Sequence, residues 1–345
     1  MNFLRKIAYP FSLLYGFITS VRNFLFHINV LKSTEYTTPT IVVGNLSVGG
    51  TGKTPQIEYL IRLLQNNYKI AVLSRGYKRK SEGFVLADEY ATAESIGDEP
   101  FQYYQKFKNI IVCVEANRRN GIEQLEKLTS PPDIILLDDA FQHRKVKGGF
   151  NILLTSYHNL YVDDCMLPTG NLRESKLGAK RAQAIIVTKC PENLSKQQQI
   201  KISSKLKPRT NQPVFFTTIS YDETLKGSHE MELEDLRTAK ILLITGIANP
   251  LPLTNFLSEQ QIKFKHLNFP DHYSFKEKDI LNINQAYNAI QSKNKIVLTT
   301  EKDYVRIFGR LKNVYYISIK TSFINHKSSF DTIINNYVEQ STGHR

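Results

Sequence analysis

Cysteine is scarce. Three thiols, Cys113, Cys165 and Cys190, share no metal-like spacing and are odd in number. That excludes a disulfide-stapled scaffold and a cysteine-held zinc module, and it points to a reducing compartment. Acid is missing altogether from residues 1–34, where Arg5, Lys6, Arg22 and Lys32 are present. Long apolar runs are missing as well. The longest uncharged stretch of that segment covers 7–21, short of the ~20 residues that a membrane-spanning helix needs. It also lacks a small-residue cleavage site of the signal-peptide kind. There is no internal repeat or low-complexity tract. The basic residues form no helix-turn-helix or zinc-finger signature. A formal net charge of +13 is therefore expected to serve an acidic membrane surface or a phosphorylated substrate, not nucleic acid.

The acid-free segment has a helical rhythm. Leu4, Ile7, Phe11, Leu14, Ile18, Val21 and Leu25 recur on one side, and Arg5, Ser12, Gly16, Thr19 and Asn23 on another. Pro10 predicts either a kink or a first turn. Two placements suit such a helix: lying in a membrane interface, or packed on the protein's own core.

The most specific segment is Gly44-Asn45-Leu46-Ser47-Val48-Gly49-Gly50-Thr51-Gly52-Lys53-Thr54-Pro55. A β-rich run (40–43) precedes it and an amphipathic stretch (Ile57, Leu60, Ile61, Leu64) follows. That strand–loop–helix context predicts a phosphate-binding loop. Gly49, Gly50, Thr51 and Gly52 would offer backbone N–H groups to phosphate oxygens at a helix N-terminus. Lys53 would reach the β/γ-phosphates of ATP, and the Thr54 hydroxyl would ligate Mg²⁺. The strict pattern has Gly where this chain has Ser47.

Strand-like runs at 41–43, 70–74, 110–114, 134–137, 152–155 and 184–188 alternate with helical stretches at 56–65, 100–106 and 121–128. This predicts an α/β fold, a phosphate-loop NTPase-type parallel sheet with helices on both faces. Ligands in such sheets sit beyond the strand C-termini. A polar stretch (190–211) separates a second, smaller α/β unit. The expected division is an N-terminal helix (1–30), a kinase-like domain (31–212) and a smaller domain (213–345). The runs 214–219 and 314–319 are expected to pair as a two-stranded hinge. In the first domain the 131–139 segment is an apolar run ending in Asp138 and Asp139. It has the form of a metal-binding strand end, with only one of the two able to face the metal from the strand itself. Gly97-Asp98-Glu99-Pro100 reads as a helix start, Ser74-Arg75-Gly76-Tyr77 as a strand leading into a basic loop, and His143 as a structural histidine. Gly170-Asn171-Leu172-Arg173-Glu174, Asp271-His272 and Thr300-Glu301-Lys302-Asp303 are polar clusters of little weight singly.

In order, and over nearly the whole chain, these segments resemble the tetraacyldisaccharide 4′-kinases of lipid A synthesis in Gram-negative bacteria. The resemblance implies transfer of the ATP γ-phosphate to the 4′-hydroxyl of an acylated glucosamine disaccharide. It also implies a monotopic enzyme at the cytoplasmic face of the inner membrane, which favours the interfacial placement of the first helix. By it, Lys53 and Thr54 hold the nucleotide, and Thr54, Asp138 and Asp139 hold Mg²⁺. Asp98 serves as general base with His272 as its partner. Arg75 and Tyr77 lie in the basic loop that could grip the substrate, with Arg119 and Glu174 as further site members. The chain departs from the family at Ala140, usually Gly, and at Asn171, usually Pro; neither change removes a reacting group. The rival is a partitioning or metal-insertion ATPase, whose signature Lys before the paired glycines is here Val48.

Overall fold

The computed structural model describes residues 5, 7–271, 273–307 and 309–343. The chain forms two compact units, Met1–Ile219 with Thr321–Arg345, and Ser220–Lys320. Among the described residues, nine strands make the sheet of the first unit. They are β1 (Thr40–Asn45), β2 (Ile70–Ser74), β3 (Val85–Leu86), β4 (Ile111–Val114), β5 (Ile134–Asp138), β6 (Phe150–Ser156), β7 (Ala184–Thr188), β8 (Val214–Tyr221) and, from the far end of the chain, β15 (Ile319–Phe323). Their order is β15-β8-β7-β6-β1-β5-β2-β4-β3. β1 lies between β5 and β6 and is parallel to both. From β1 the chain moves to β2 and β4 on one side, returns to β5, and then builds β6, β7 and β8 on the other. The winding reverses beside β1, the position beyond whose strand ends ligands bind in sheets of this kind.

Every residue of β1 is buried, as a central parallel strand covered on both faces requires. Ile41 and Val43 join one core with Ile57, Leu60, Ile61 and Leu64 of the helix Lys53–Leu64. Val42 joins the opposite core with Ile122 and Leu125 of the helix Arg118–Glu126. This is the period-two alternation of a strand sandwiched between helical layers.

The second unit has its own six-stranded sheet, from β9 (Thr224–Gly227), β10 (Met231–Glu232), β11 (Lys240–Thr245), β12 (Phe264–Asn268), β13 (Lys295–Thr300) and β14 (Val314–Ile317), in the order β10-β9-β14-β13-β11-β12. Two expectations are corrected. The run 314–319 does not pair with 214–219: Val314–Ile317 is β14, parallel to β13 inside the second sheet. The neighbour of β8 is β15, which begins at Ile319. The smaller unit also does not run to residue 345. The helix Lys327–Thr342 belongs to the first unit, where Phe330, Ile334 and Val338 are fully buried. Its aromatic anchor explains why: the Phe330 ring packs edge-on to Phe215 at 5.2 Å and against Phe323 at 4.8 Å.

The helix Tyr9–His27 holds Pro10 in its first turn, just after a break at Ala8. It docks on the first unit through its polar side. Ser12 donates to Thr169 Oγ1 at 2.7 Å, and Gly16 lies against Met166. Asn23 donates to Glu174 at 2.9 Å. The apolar side faces outward, with Phe11 and Phe17 each 67% exposed. No helix among the described residues is long and apolar enough to cross a membrane.

Phe330→Ala should destabilise the protein by ~3–5 kcal/mol, the usual cost of emptying an aromatic core site. The fall in the denaturant midpoint measures it; a loss below about 1 kcal/mol, little beyond what a surface change produces, would contradict this anchoring role.

Candidate active site

β1 ends at Asn45, and residues 46–52 turn back into the helix that starts at Lys53. Two glycines are required by backbone conformation: Gly49 has φ +111 and Gly52 φ +83, values that residues with a Cβ rarely adopt. No side chain caps this helix and no acidic residue stands in its first turn. Such a terminus, with the helix dipole in support, can receive an anion. Ser47 has no positive φ. It is bridged antiparallel to Leu172, with Val48 N–H donating to Asn171 O at 2.8 Å and Arg173 N–H to Leu46 O at 2.7 Å. An extended, paired position needs no glycine, which accounts for the departure from the strict motif.

Two carboxylates stand beside the loop. Asp138 is the last residue of β5 and is buried. Its Oδ2 accepts from Ser74 at 3.1 Å and from the Tyr103 hydroxyl at 3.4 Å. Thr54 shares a side-chain hydrogen bond with the same Tyr103. Asp138 Oδ1 is buried with no hydrogen-bond partner. Burial, with Asp139 adjacent, pushes the Asp138 pKa up to about 6. Asp139 has already left the strand, with φ +47, so the two carboxylates approach from a strand and from a turn. Burial alone would raise Asp139, but the charges of Lys53 and Arg173 outweigh it and hold its pKa down. Lys53 Nζ lies 3.7 Å from Asp139 Oδ1. Arg173 grips both Asp139 oxygens, at 2.8 and 3.2 Å, and also donates to the side chain and carbonyl of Asn45. Arg118 is buried behind the strand end and donates to Asp138 O at 2.9 Å.

Asp98 opens the helix Asp98–Lys106 and is half-buried, with Gly97 (φ +95) packed against the backbone of Gly76 and Tyr77. The next residue, Glu99, is close enough for its charge to act on Asp138. Arg75 and Tyr77 are exposed and line a cleft of about 420 Å³. Arg119 is exposed and hydrogen-bonds Tyr36, while its neighbour Arg118 is the one turned in toward the carboxylates. Glu174 is 3% exposed, and its oxygens are taken by Arg181, Gln142 and Asn23, each at 2.9 Å. It serves as an internal hub that ties the 170–174 segment to Gln142 and to the first helix. His272 lies outside the described residues. The 300–303 cluster is a structural cap: Asp303 is fully buried and accepts from Gly246 N–H and Thr300, each at 2.8 Å. Asn45, Tyr103, Arg118, Gln142 and Arg173 escaped the sequence reading, although Arg118 and Arg173 each adjoin a residue that it chose.

The raised Asp138 pKa is a cost to folding. The group titrates near 6 when folded and near its ordinary 3.8 when unfolded, so the protonated carboxyl is the form the fold prefers. Its favourable contribution is complete below pH ~3.8 and lost as pH rises through ~6. In chelator, Asp138→Asn should therefore gain on the order of 3 kcal/mol at pH 8, the gain shrinking toward zero by pH 4. Thermal unfolding of both proteins across pH checks this; a pH-independent difference would refute the burial argument.

The family model for tetraacyldisaccharide-1-P 4′-kinase matches residues 4–339. The tetraacyldisaccharide 4′-kinase of Flavobacterium psychrophilum is 56% identical, with 99% of each chain covered. That of Bacteroides thetaiotaomicron is 42% identical, covering 98% of this chain and 94% of the relative. A crystal structure of LpxK from Aquifex aeolicus in complex with ATP superposes with a TM-score of 0.78 at 31% identity, covering 97% of this chain and 99% of that one. These matches remove the partitioning-ATPase reading and make the chain an ATP-binding phosphotransferase: it belongs to the tetraacyldisaccharide-1-P 4′-kinase family.

Proposed function

We propose that this chain transfers the γ-phosphate of ATP to the 4′-hydroxyl of the tetraacyldisaccharide 1-phosphate precursor of lipid A, working at the cytoplasmic face of the bacterial inner membrane. The observation that carries the nucleotide half is the buried, unpartnered Asp138 Oδ1, in a cluster with Thr54, beside an uncapped helix N-terminus that bears Lys53. The donors suit magnesium. They are hard oxygens, and no group of three or more His, Cys, Asp or Glu among the described residues could hold a metal without help. Magnesium is commonly held by one or two carboxylates and completes its shell with water and phosphate. Thr54, Asp138 and Asp139 would hold it, and when bound it would neutralise charge on the phosphate oxygens.

Phosphoryl transfer depends on positioning and charge neutralisation. Lys53, 3.7 Å from Asp139 Oδ1, would bear on the γ-phosphate. Asp98 takes the proton of the attacking hydroxyl, and His272 supports it; both roles rest on the family resemblance. Arg75 and Tyr77 border the cleft that would receive the sugar. With labelled ATP and the lipid disaccharide, label should move to the lipid on thin-layer chromatography. Asp98→Ala should lower kcat by ~10²–10⁴-fold, the usual worth of a general base, with the KM for ATP little changed. His272→Ala should lower kcat too. Wild-type turnover in Asp98→Ala would remove its assigned role, and free phosphate as sole product would point to an ATPase.

The outward face of the helix Tyr9–His27 supports the membrane half. A side chain of this size gains ~1.5–3 kcal/mol on leaving water, and Phe11, Leu14, Phe17 and Ile18 all stand exposed on a helix already anchored by its polar side. Phe11→Ser and Phe17→Ser should each weaken partition onto phosphatidylglycerol vesicles by about tenfold. Unchanged co-sedimentation would end the interfacial reading.

A further inference from the structure

The outer helix makes two kinds of contact with the first unit. Ser12 on Thr169, Gly16 on Met166, and Phe26 beneath Arg144 simply hold it in place, while Arg22 donates to Gln142 O at 2.6 Å. Tyr15 and Asn23 touch the segment that braces the phosphate loop. The Tyr15 hydroxyl donates to Arg173 O at 2.9 Å, and Asn23 Nδ2 donates to Glu174 Oε2 at 2.9 Å.

From those two points the hydrogen bonding runs unbroken to the loop. Glu174 Oε1 accepts from Gln142 Nε2 at 2.9 Å. The same nitrogen donates to Asn45 O at 2.7 Å, and Asn45 Nδ2 donates to Thr51 Oγ1 at 2.8 Å. In parallel, the Arg173 guanidinium joins Asn45 to Asp139. Glu174, Asn45 and Thr51 are buried. In such a network a lost donor leaves an acceptor dry and unsatisfied, and its neighbours shift to compensate.

We infer that Tyr15 and Asn23 are positioning residues for the nucleotide: through Arg173 and Glu174 they set the geometry of Asp139 and of the loop 46–52. The inference rests on the nucleotide reading above. The helix that presents an apolar face outward is thereby coupled to ATP affinity, and the coupling is reciprocal, so nucleotide steadies the helix as the helix steadies the loop.

The test uses the full chain without lipid, titrated with magnesium and a fluorescent ATP analogue, with thermal melts to confirm folding. Tyr15→Phe, which keeps the ring, and Asn23→Ala should each weaken binding about three- to tenfold, the worth of a hydrogen bond in a buried network. Ser12→Ala, which loosens the same helix away from the loop, should stay within about twofold, under half the free energy of a tenfold change. In turnover the KM for ATP should rise with kcat held. Nucleotide should slow amide exchange over 12–23 in the wild type, and not in the Tyr15→Phe/Asn23→Ala double variant. Wild-type affinity in both single variants would overturn the inference, as would an equal loss in Ser12→Ala. A wild-type chain that bound no nucleotide would overturn the nucleotide reading along with it.

Discussion

The guanidinium of Arg173 is where the site's opposing demands are reconciled. A loop proposed to bind phosphate must be electropositive and still, and internal charge can hold it so. Asp139 supplies internal negative charge and Arg173 fixes that charge in a two-pronged grip, while also tethering Asn45 at the mouth of the loop. Charge-assisted forks of this kind carry orientation as well as energy. Asp139 is thus held ionised by its partners, whereas Asp138, buried a residue earlier with one oxygen unmatched, is held in tension. Both are proposed magnesium ligands, one already ion-paired within the protein and the other with an unmatched buried oxygen.

What the sequence made legible follows from range. The parallel strands are covered on both faces, so they appear as apolar runs, and the glycines, Lys53 and Thr54 lie within one short segment whose meaning is local. The site's supports are not local. Arg173 meets Asn45, and Arg118 meets Asp138, across long stretches of chain, and no spacing rule reports such a meeting. The sequence therefore singled out Arg119 and not its inward-turned neighbour Arg118, and gave no sign that the Glu174 oxygens are held by Arg181, Gln142 and Asn23. The strand pairing at 314–319 failed for a similar reason. Two adjacent strand-like pieces, β14 and β15, lie within that short region, and only the register of the two sheets decides which joins which.

The first helix showed both of its faces in the sequence but not which one turns inward. Ordinary amphipathic helices bury the apolar side. Here the receiving surface offers Thr169, the Arg173 carbonyl and the Glu174 carboxylate, so polar complementarity wins and the apolar side is left out. The helix is packed on its own protein by its polar side, and its apolar stripe faces outward.

The return of residues 327–342 to the first unit has a consequence for synthesis. Ser220–Lys320 is an insertion between neighbouring strands β8 and β15, and Phe330, Ile334 and Val338 complete the core that backs the phosphate loop helix. As the chain leaves the ribosome, the inserted unit has all of its residues before the surrounding one does. The catalytic sheet must wait, with one helical layer open, until its last helix emerges, so the nascent first unit exposes apolar surface for the whole time that the insertion is being made.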